Sequence, residues 1–298
     1  MKHAYLITAH KNFKILDLLL KVLDDRDNDF YILFDEKVKK DNNELIRYSP
    51  RYSELIILPR VLINWAGYSQ INAEYLLLKA ATPKQYDYYH YMQGSDFPLK
   101  TKGEIAEFFE NNKGFEFVDF NPSQYEFAHY KCDYYHPFTN CRYFRSNKLL
   151  RLMNHGIAKG QKLFGLRRGK EELYHGSALF SITHDFAIYV LENESYIQKR
   201  FNKALAADEV FLQTLLMNSD FRDRVYRFEE PGANCYLIDW DRRNGNSPHT
   251  YVFEDYDKLK SSETRFLFAR KFDEKTDYQI IERIYQSIND TQYQVENK

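Results

Sequence analysis

The chain has 298 residues, with 42 Lys and Arg against 43 Asp and Glu and a net charge of −1. That length carries a sizeable core in one large domain, and the balanced charge excludes bulk attraction to nucleic acid, leaving any polyanion to a local cluster of cations. Cys132, Cys141 and Cys235 follow no metal-ligand spacing and favour a reducing compartment over a disulfide framework.

The N-terminal apolar stretch is too short for a signal peptide, and no apolar run approaches the roughly 20 residues of a membrane span. A cytoplasmic protein is expected, with at most a peripheral contact at the inner face of the cell membrane. Aromatic residues reach 17%, 25 of them Tyr, which suits the apolar faces of sugar rings and equally suits a core.

In chain order, Ala4 to Thr8 reads as a strand ending at His10. Phe13 to Leu23 carries apolar residues at helical spacing. Phe30 to Phe34 is a second strand ending on Asp35, and Leu55 to Leu58 a third. This βαβ opening predicts a parallel sheet with right-handed crossovers. Asp35 stands where a carboxylate bonds a nucleotide's ribose or base, or else caps its own turn. No GxGxxG follows the first strand, so the dinucleotide fingerprint is absent. A helix through Ile71 to Ala80 follows, with Ser69 as its N-cap.

The run Tyr86 to Leu99, YDYYHYMQGSDFPL, reads as a buried strand stopped by Gly94-Ser95-Asp96. In an open α/β sheet ligands gather at such carboxyl ends. Gly94 allows close backbone approach, and Ser95 and Asp96 offer hydrogen bonds or simply satisfy the turn.

Lys102 to Asn111 is helical and Phe115 to Phe120 a strand. From Asn121 to about Arg168 periodic patterns fade, and basic residues crowd Arg142 to Arg168. This reads as loops over a site. His129, Cys132, His136 and Cys141 match no zinc spacing. The basic run Lys159 to Lys170 is a solvated loop or faces an anionic acceptor or membrane. Beyond it, Tyr174 to Ile182 is a turn into a strand and Phe186 to Asn193 a helix. A second helix through Val210 to Leu216 follows Asp208 and Glu209. Leu237 to Trp240 and Arg265 to Phe272 are strands, and Asp277 to Ile288 is a helix.

The segments AYLITAHKN, YILFDEKV, INWAGYSQINA, YDYYHYMQGSDFPLKT, YHGSALFSIT, ADEVFLQTLLMNS, LIDWDRRNGNSP and FLFARKFD together resemble the core-2/I-branching β-1,6-N-acetylglucosaminyltransferases, glycosyltransferase family 14, which include the peptide O-xylosyltransferases. They run in the family's order from Ala4 to Asp273, and the chain is similar to a bacterial member. The region from Asn121 to Arg168 matches poorly.

The resemblance implies an α/β, GT-A-like, Rossmann-type mixed sheet flanked by helices, in a single large domain. Residues 1–120 form its nucleotide-binding half, 121–170 a variable acceptor-side insertion, and 171–298 the catalytic and diphosphate-binding half. It implies inverting, metal-independent transfer from a UDP-sugar, with no cofactor. Glu209 corresponds to the catalytic base, and Asp208 then caps the following helix. Arg270 and Lys271 correspond to the diphosphate clamp, where fixed cations stabilise the charge gained by leaving UDP. A further family arginine has no match near Pro248 and His249, with Arg242 and Arg243 upstream.

By the same likeness His10 and Asp35 face the uridine. Trp65, Gly67, Ser95 and Asp96 line the donor sugar, and Trp240 stacks on the acceptor, its alternative being a core tryptophan. The partners implied are a UDP-sugar donor and an oligosaccharide or lipid-linked glycan acceptor, in capsule or exopolysaccharide synthesis, with no nucleic acid. Two alternatives stay open. One is a metal-dependent GT-A transferase using a DxD pair, for which Asp239-Trp240-Asp241 is best placed. The other is a non-catalytic carbohydrate-binding protein on the same fold.

Overall fold

The first strand, β1 (His3–Ala9), is buried along its whole length, so both faces of the sheet must be covered. The helix Phe13–Leu23 covers one side through Ile15, Leu16, Leu19, Leu20 and Leu23. Burying such side chains is worth about 1.5–3 kcal/mol each, which outweighs a missing N-cap bond of about 1 kcal/mol. Its N-cap residue, Asn12, makes no capping bond and sits at φ 62°. The Asn12 side chain instead donates to the Phe272 carbonyl at 3.1 Å and accepts from Glu274 N at 3.3 Å. A weak helix start thus ties the chain's late segment to the end of β1.

The structure is a computed structural model that describes residues 1–228 and 230–296, leaving aside the side chains of 43, 295 and 296. Besides β1, the strands are β2 (Asn28–Phe34), β3 (Leu55–Ile57), β4 (Tyr88–Gln93), β5 (Asp96–Pro98), β6 (Phe117–Val118), β7 (Phe180–Thr183), β8 (Tyr236–Ile238) and β9 (Phe268–Arg270). The main sheet has the order β3-β2-β1-β4-β7-β6. The first four strands in sequence that belong to it, β1 to β4, pair parallel. The expected parallel opening is therefore present, and β7 joins antiparallel to β4 to make the sheet mixed.

That reversal matters for position. Tyr91 near the end of β4 pairs with Phe180 at the start of β7. The segment leading into β7 therefore lands on the rim where β1, β2 and β4 end. β6 is antiparallel to β7, so Asp119 and Phe120, just past its end, reach the same rim.

A smaller sheet, β5-β9-β8, packs beside the first. In it β5 and β9 are antiparallel with Asp96 opposite Arg270. One buried apolar cluster spans both sheets and the helices. Among its polar inclusions, His3 and His90 share a 2.8 Å bond across β1 and β4, and His90 reaches Ser181 of β7 at 2.8 Å, while His3 Nε2 and Glu74 Oε2 have no partner among the described residues.

Three expectations are corrected. The 121–170 segment is not chiefly loops, since it holds the helices Tyr125–Cys132 and Lys148–Leu163. Its second helix carries Leu149, Leu152, Met153 and Ile157 at helical spacing among the basic residues, and this apolar stripe faces solvent. Ser69 is the first residue of its helix rather than the N-cap, and its hydroxyl accepts from Asn64 N at 2.8 Å. The helix Glu194–Phe201 also forms where none was expected. All three cysteines are free thiols. Among the described residues, no helix is long and apolar enough to cross a membrane.

Candidate active site

The rim gathers two groups of charged side chains. The first surrounds Glu209, in a 3-10 turn over Ala207–Glu209. Its Oε2 accepts from Lys131 Nζ at 2.5 Å and lies 3.3 Å from His175 Nε2. Lys131 and His175 are themselves 2.9 Å apart. A proton on His175 Nε2 serves Glu209, and its absence lets that nitrogen accept from Lys131. Lys131 is buried, so its charge needs this partner.

The Glu209 side chain is 37% exposed, and no hydrogen bond to Oε1 is formed among the described residues. Burial works to raise its pKa, but the His175 hydrogen bond and the Lys131 ammonium outweigh it and hold Glu209 ionised. The geometry leaves one oxygen fixed and the other unengaged on a partly exposed side chain.

The backbone around Glu209 is built tightly. Gly176 N donates to the Glu209 carbonyl at 2.9 Å. A Cβ on Gly176 would sit 1.8 Å from the Asp119 carbonyl, so only glycine fits there. Gln213 anchors the same turn by donating to the Ser177 carbonyl at 2.7 Å.

Asp208 does not cap the helix Phe211–Met217, which has no side-chain cap bond. It turns inward and accepts from Gln70 Nε2 at 2.8 Å. Burial and the neighbouring Glu209 charge raise its pKa, while Lys131 and Arg270 oppose the shift. Glu74, fully buried nearby, is pushed far toward its neutral form by burial and by Asp208. The two neighbouring acids are thereby split: Glu209 is charged, and Asp208 is drawn toward neutrality.

The second group holds cations. Lys271 has its pKa lowered by burial and then by Lys11, Arg270 and Arg145. Lys11, Arg270 and Arg145 therefore each lie near enough to Lys271 to act on its charge. Arg270 is the most constrained, donating to Asp96 Oδ1 and Gln93 Oε1 at 2.6 Å each. Asp96 is fully buried, and burial raises its pKa against the pull of Arg270. Lys271 donates to Ser247, and Lys11 pairs with Asp273. The Arg145 guanidinium stands 5.6 Å over the Trp65 ring.

Of the residues singled out from sequence, His10 follows β1 within this field. Its pKa is lowered by desolvation, then by Lys11, with Asp35 opposing and Lys37 and Arg145 adding to the shift. Asp35 sits at the end of β2, its carboxylate paired with Lys37 at 3.0 Å and accepting from Lys37 N at 3.0 Å. The turn-capping role is therefore filled. Ser95 is buried and its carbonyl accepts from Phe272 N at 2.8 Å.

Gly67 lies beneath the 121–170 segment. A Cβ there would meet Asn140 Oδ1 at 2.5 Å, which gives this glycine a packing reason. Trp240 is 48% exposed in the loop after β8, not in the core. Its neighbour Asp239 accepts from Lys258 at 2.7 Å and Arg242 at 2.8 Å. These bonds hold Asp239 well below the ordinary carboxylate range against the opposing effect of burial. One carboxylate of the DxD pair is thus committed to its own loop. Arg242 is committed too, pairing with Asp255 at 2.7 Å.

Sequence reasoning missed Lys131, His175, Lys11 and Arg145 as site residues. His175 and Lys11 lie inside the segments AYLITAHKN and YHGSALFSIT, where a signal was present. Lys131 and Arg145 lie in the segment with no likeness to guide the eye. Among the described residues, no group of three or more His, Cys, Asp and Glu is placed to hold a metal ion. His129 is taken by Asp133 at 2.9 Å, and His136 by Asn154 at 2.8 Å.

Comparison with known proteins adds an independent line. A family model described as Core-2/I-Branching enzyme matches residues 3–263. Xylosyltransferase 2 of Rattus norvegicus is 24% identical over 301 residues, covering 94% of this chain and 33% of its own length. Xylosyltransferase 1 of Homo sapiens is 23% identical, covering 93% of this chain and 29% of its own. The chain thus spans about a third of these relatives. The crystal structure of mouse xyloside xylosyltransferase 1 in its apo form covers 90% of this chain and 96% of that one, at 10% identity and a TM-score of 0.42, a likeness too loose to bear on the site.

Proposed function

This chain belongs to the Core-2/I-branching enzyme family, and on that premise we propose that it is an inverting glycosyltransferase moving a sugar from a UDP-sugar to a glycan hydroxyl without a divalent metal. One juxtaposition supports the reading. Glu209, fixed by Lys131 and His175, shares a rim with the cation group of Lys11, Arg145, Arg270 and Lys271, and the neighbouring Asp208 feels the charge of Arg270.

The chemistry follows from the charges. The acceptor hydroxyl gives its proton to Oε1 of Glu209 as its oxygen bonds the anomeric carbon. The bond from that carbon to the diphosphate breaks on the opposite face, and the electron pair leaves with UDP. The cations stabilise the charge that develops there. A carbohydrate-binding protein needs neither a proton acceptor nor surplus cations. The names of the matched relatives make xylose the first donor to try, with N-acetylglucosamine next. The acceptor in this reading is an oligosaccharide or a lipid-linked glycan, in capsule or exopolysaccharide synthesis.

Calorimetry with UDP in the presence of EDTA tests the reading, followed by a panel of UDP-sugars screened for slow hydrolysis. Binding in EDTA and hydrolysis of one donor are expected. Binding that requires added Mn²⁺ would instead assign the metal-dependent alternative. Sugar binding with no UDP binding would assign the lectin-like one.

A further inference from the structure

The helix Lys148–Leu163 turns its apolar face to solvent. Leu149, Leu152, Met153 and Ile157 recur at helical spacing and are exposed, and Leu163 and Phe164 extend the strip at 82% and 78% exposure. The helix buries only Asn154 and Ala158 against the protein. By helical geometry, the flank between strip and protein carries Lys148, Arg151, Lys159 and Lys162. All four are exposed, and none forms an ion pair among the described residues. From residue 134 to 170 Lys and Arg recur nine times with no Asp or Glu, in a chain of net charge −1.

Isolated exposed apolar residues need no explanation, but a contiguous strip does. Its cationic flank narrows the occupant. A second copy of the chain would bring two like-charged flanks together. A soluble polyanion would satisfy the cations and leave six large apolar side chains in water. An anionic lipid surface satisfies both, because the headgroups meet the cations and the acyl boundary takes the strip.

We propose that this helix docks the protein on an anionic bilayer, lying in the headgroup plane. At about 24 Å it is a single amphipathic element. Its segment also contributes to the candidate site: Arg145 covers Trp65, Lys131 holds Glu209, and Arg168 N bonds the Asp133 carbonyl at 2.9 Å. Docking therefore sets the candidate site beside the membrane plane. That this favours an acceptor on a lipid carrier rests on the transferase reading, whereas the docking itself does not.

Flotation of the full chain with vesicles tests the docking without any turnover. Vesicles of phosphatidylcholine alone are compared with an equimolar mixture containing phosphatidylglycerol. Flotation only with the anionic vesicles is expected, weakening at high salt. Leu152→Glu with Leu163→Glu should lose at least about tenfold in binding, as should Lys159→Glu with Lys162→Glu. Melting curves check that these variants fold, and Lys159→Gln with Lys162→Gln provides a milder pair. No flotation, or equal flotation of wild type and the Leu152→Glu/Leu163→Glu variant, would overturn the proposal. So would a dimer in sedimentation velocity that the leucine changes dissolve. Binding of dextran sulfate without vesicle binding would assign the face to a soluble polyanion and overturn it too.

Discussion

Around Glu209 opposite charges meet, since Lys131 and His175 converge on one carboxylate oxygen. Across the rim like charges meet: burial first, and then the charges of Lys11, Arg270 and Arg145, hold Lys271 below its ordinary pKa. Both arrangements lower a pKa, for opposite reasons. On one side a cation stabilises a carboxylate. On the other, cations and burial together disfavour an ammonium. The lesson lies in the residue of charge. The Glu209 group balances itself, whereas Asp96 and Asp273 pair with only Arg270 and Lys11. Arg145 and Lys271 remain surplus, and a folded protein keeps unbalanced cations together at a cost that a bound anion relieves.

The sharpest way to break this contrast is Glu209→Gln. It should lower turnover by about 10²–10⁴-fold, the usual worth of a general base, and leave UDP affinity within a few-fold. Steady-state rates and calorimetry on the same protein check it; full turnover would remove Glu209 from the chemistry. Next in size, Arg270→Ala should cost about 3–5 kcal/mol of stability, because it strands the fully buried Asp96. Chemical denaturation reads this, and an unchanged midpoint would show that the pair carries no structural weight.

Arg145→Ala with Lys271→Ala touches the surplus cations instead. UDP affinity should fall by about 10–100-fold, the worth of lost charged hydrogen bonds, with the melting temperature nearly unchanged. Smaller again is Lys131→Met. Glu209 must be ionised to act, and its depressed pKa keeps it so as the pH falls. Removing Lys131 raises that pKa, so the acid limb of the pH–rate profile should move to higher pH. A stationary limb would mean that another group sets it. Asp208→Asn should do least, because burial and Glu209 already draw Asp208 toward neutrality. Turnover at neutral pH tests it, and a large loss would show that its charge is used.

Much of this was legible in the chain. The strand Ala4 to Thr8 and the helix Phe13 to Leu23 have dense apolar patterns because their environment is uniform, and the structure extends the strand by only a residue at each end. Glu209, Arg270 and Lys271 came from matched segments, and the structure brings them to one rim. The helix Lys148–Leu163 is as periodic as Phe13–Leu23 and was equally legible; the Lys and Arg interleaved with its stripe favour a loop reading, and only the structure shows that the stripe faces solvent. Asp208 was misread as a cap because acidic residues before a helix usually are, whereas here Gln70, 138 positions away, claims its carboxylate.

The sequence by itself determined the opening βαβ order, the stop at Gly94-Ser95-Asp96 and the residue types on which the proposed chemistry rests. These depend on local periodicity and turn preference, which neighbouring residues encode. Only the tertiary structure decided which charges face which. The antiparallel register that sets Asp96 opposite Arg270, and the fold of the 121–170 segment that carries Lys131 to Glu209, join positions 174 and 78 residues apart. Electrostatic pairing acts through space over a few ångströms and leaves no period along the chain.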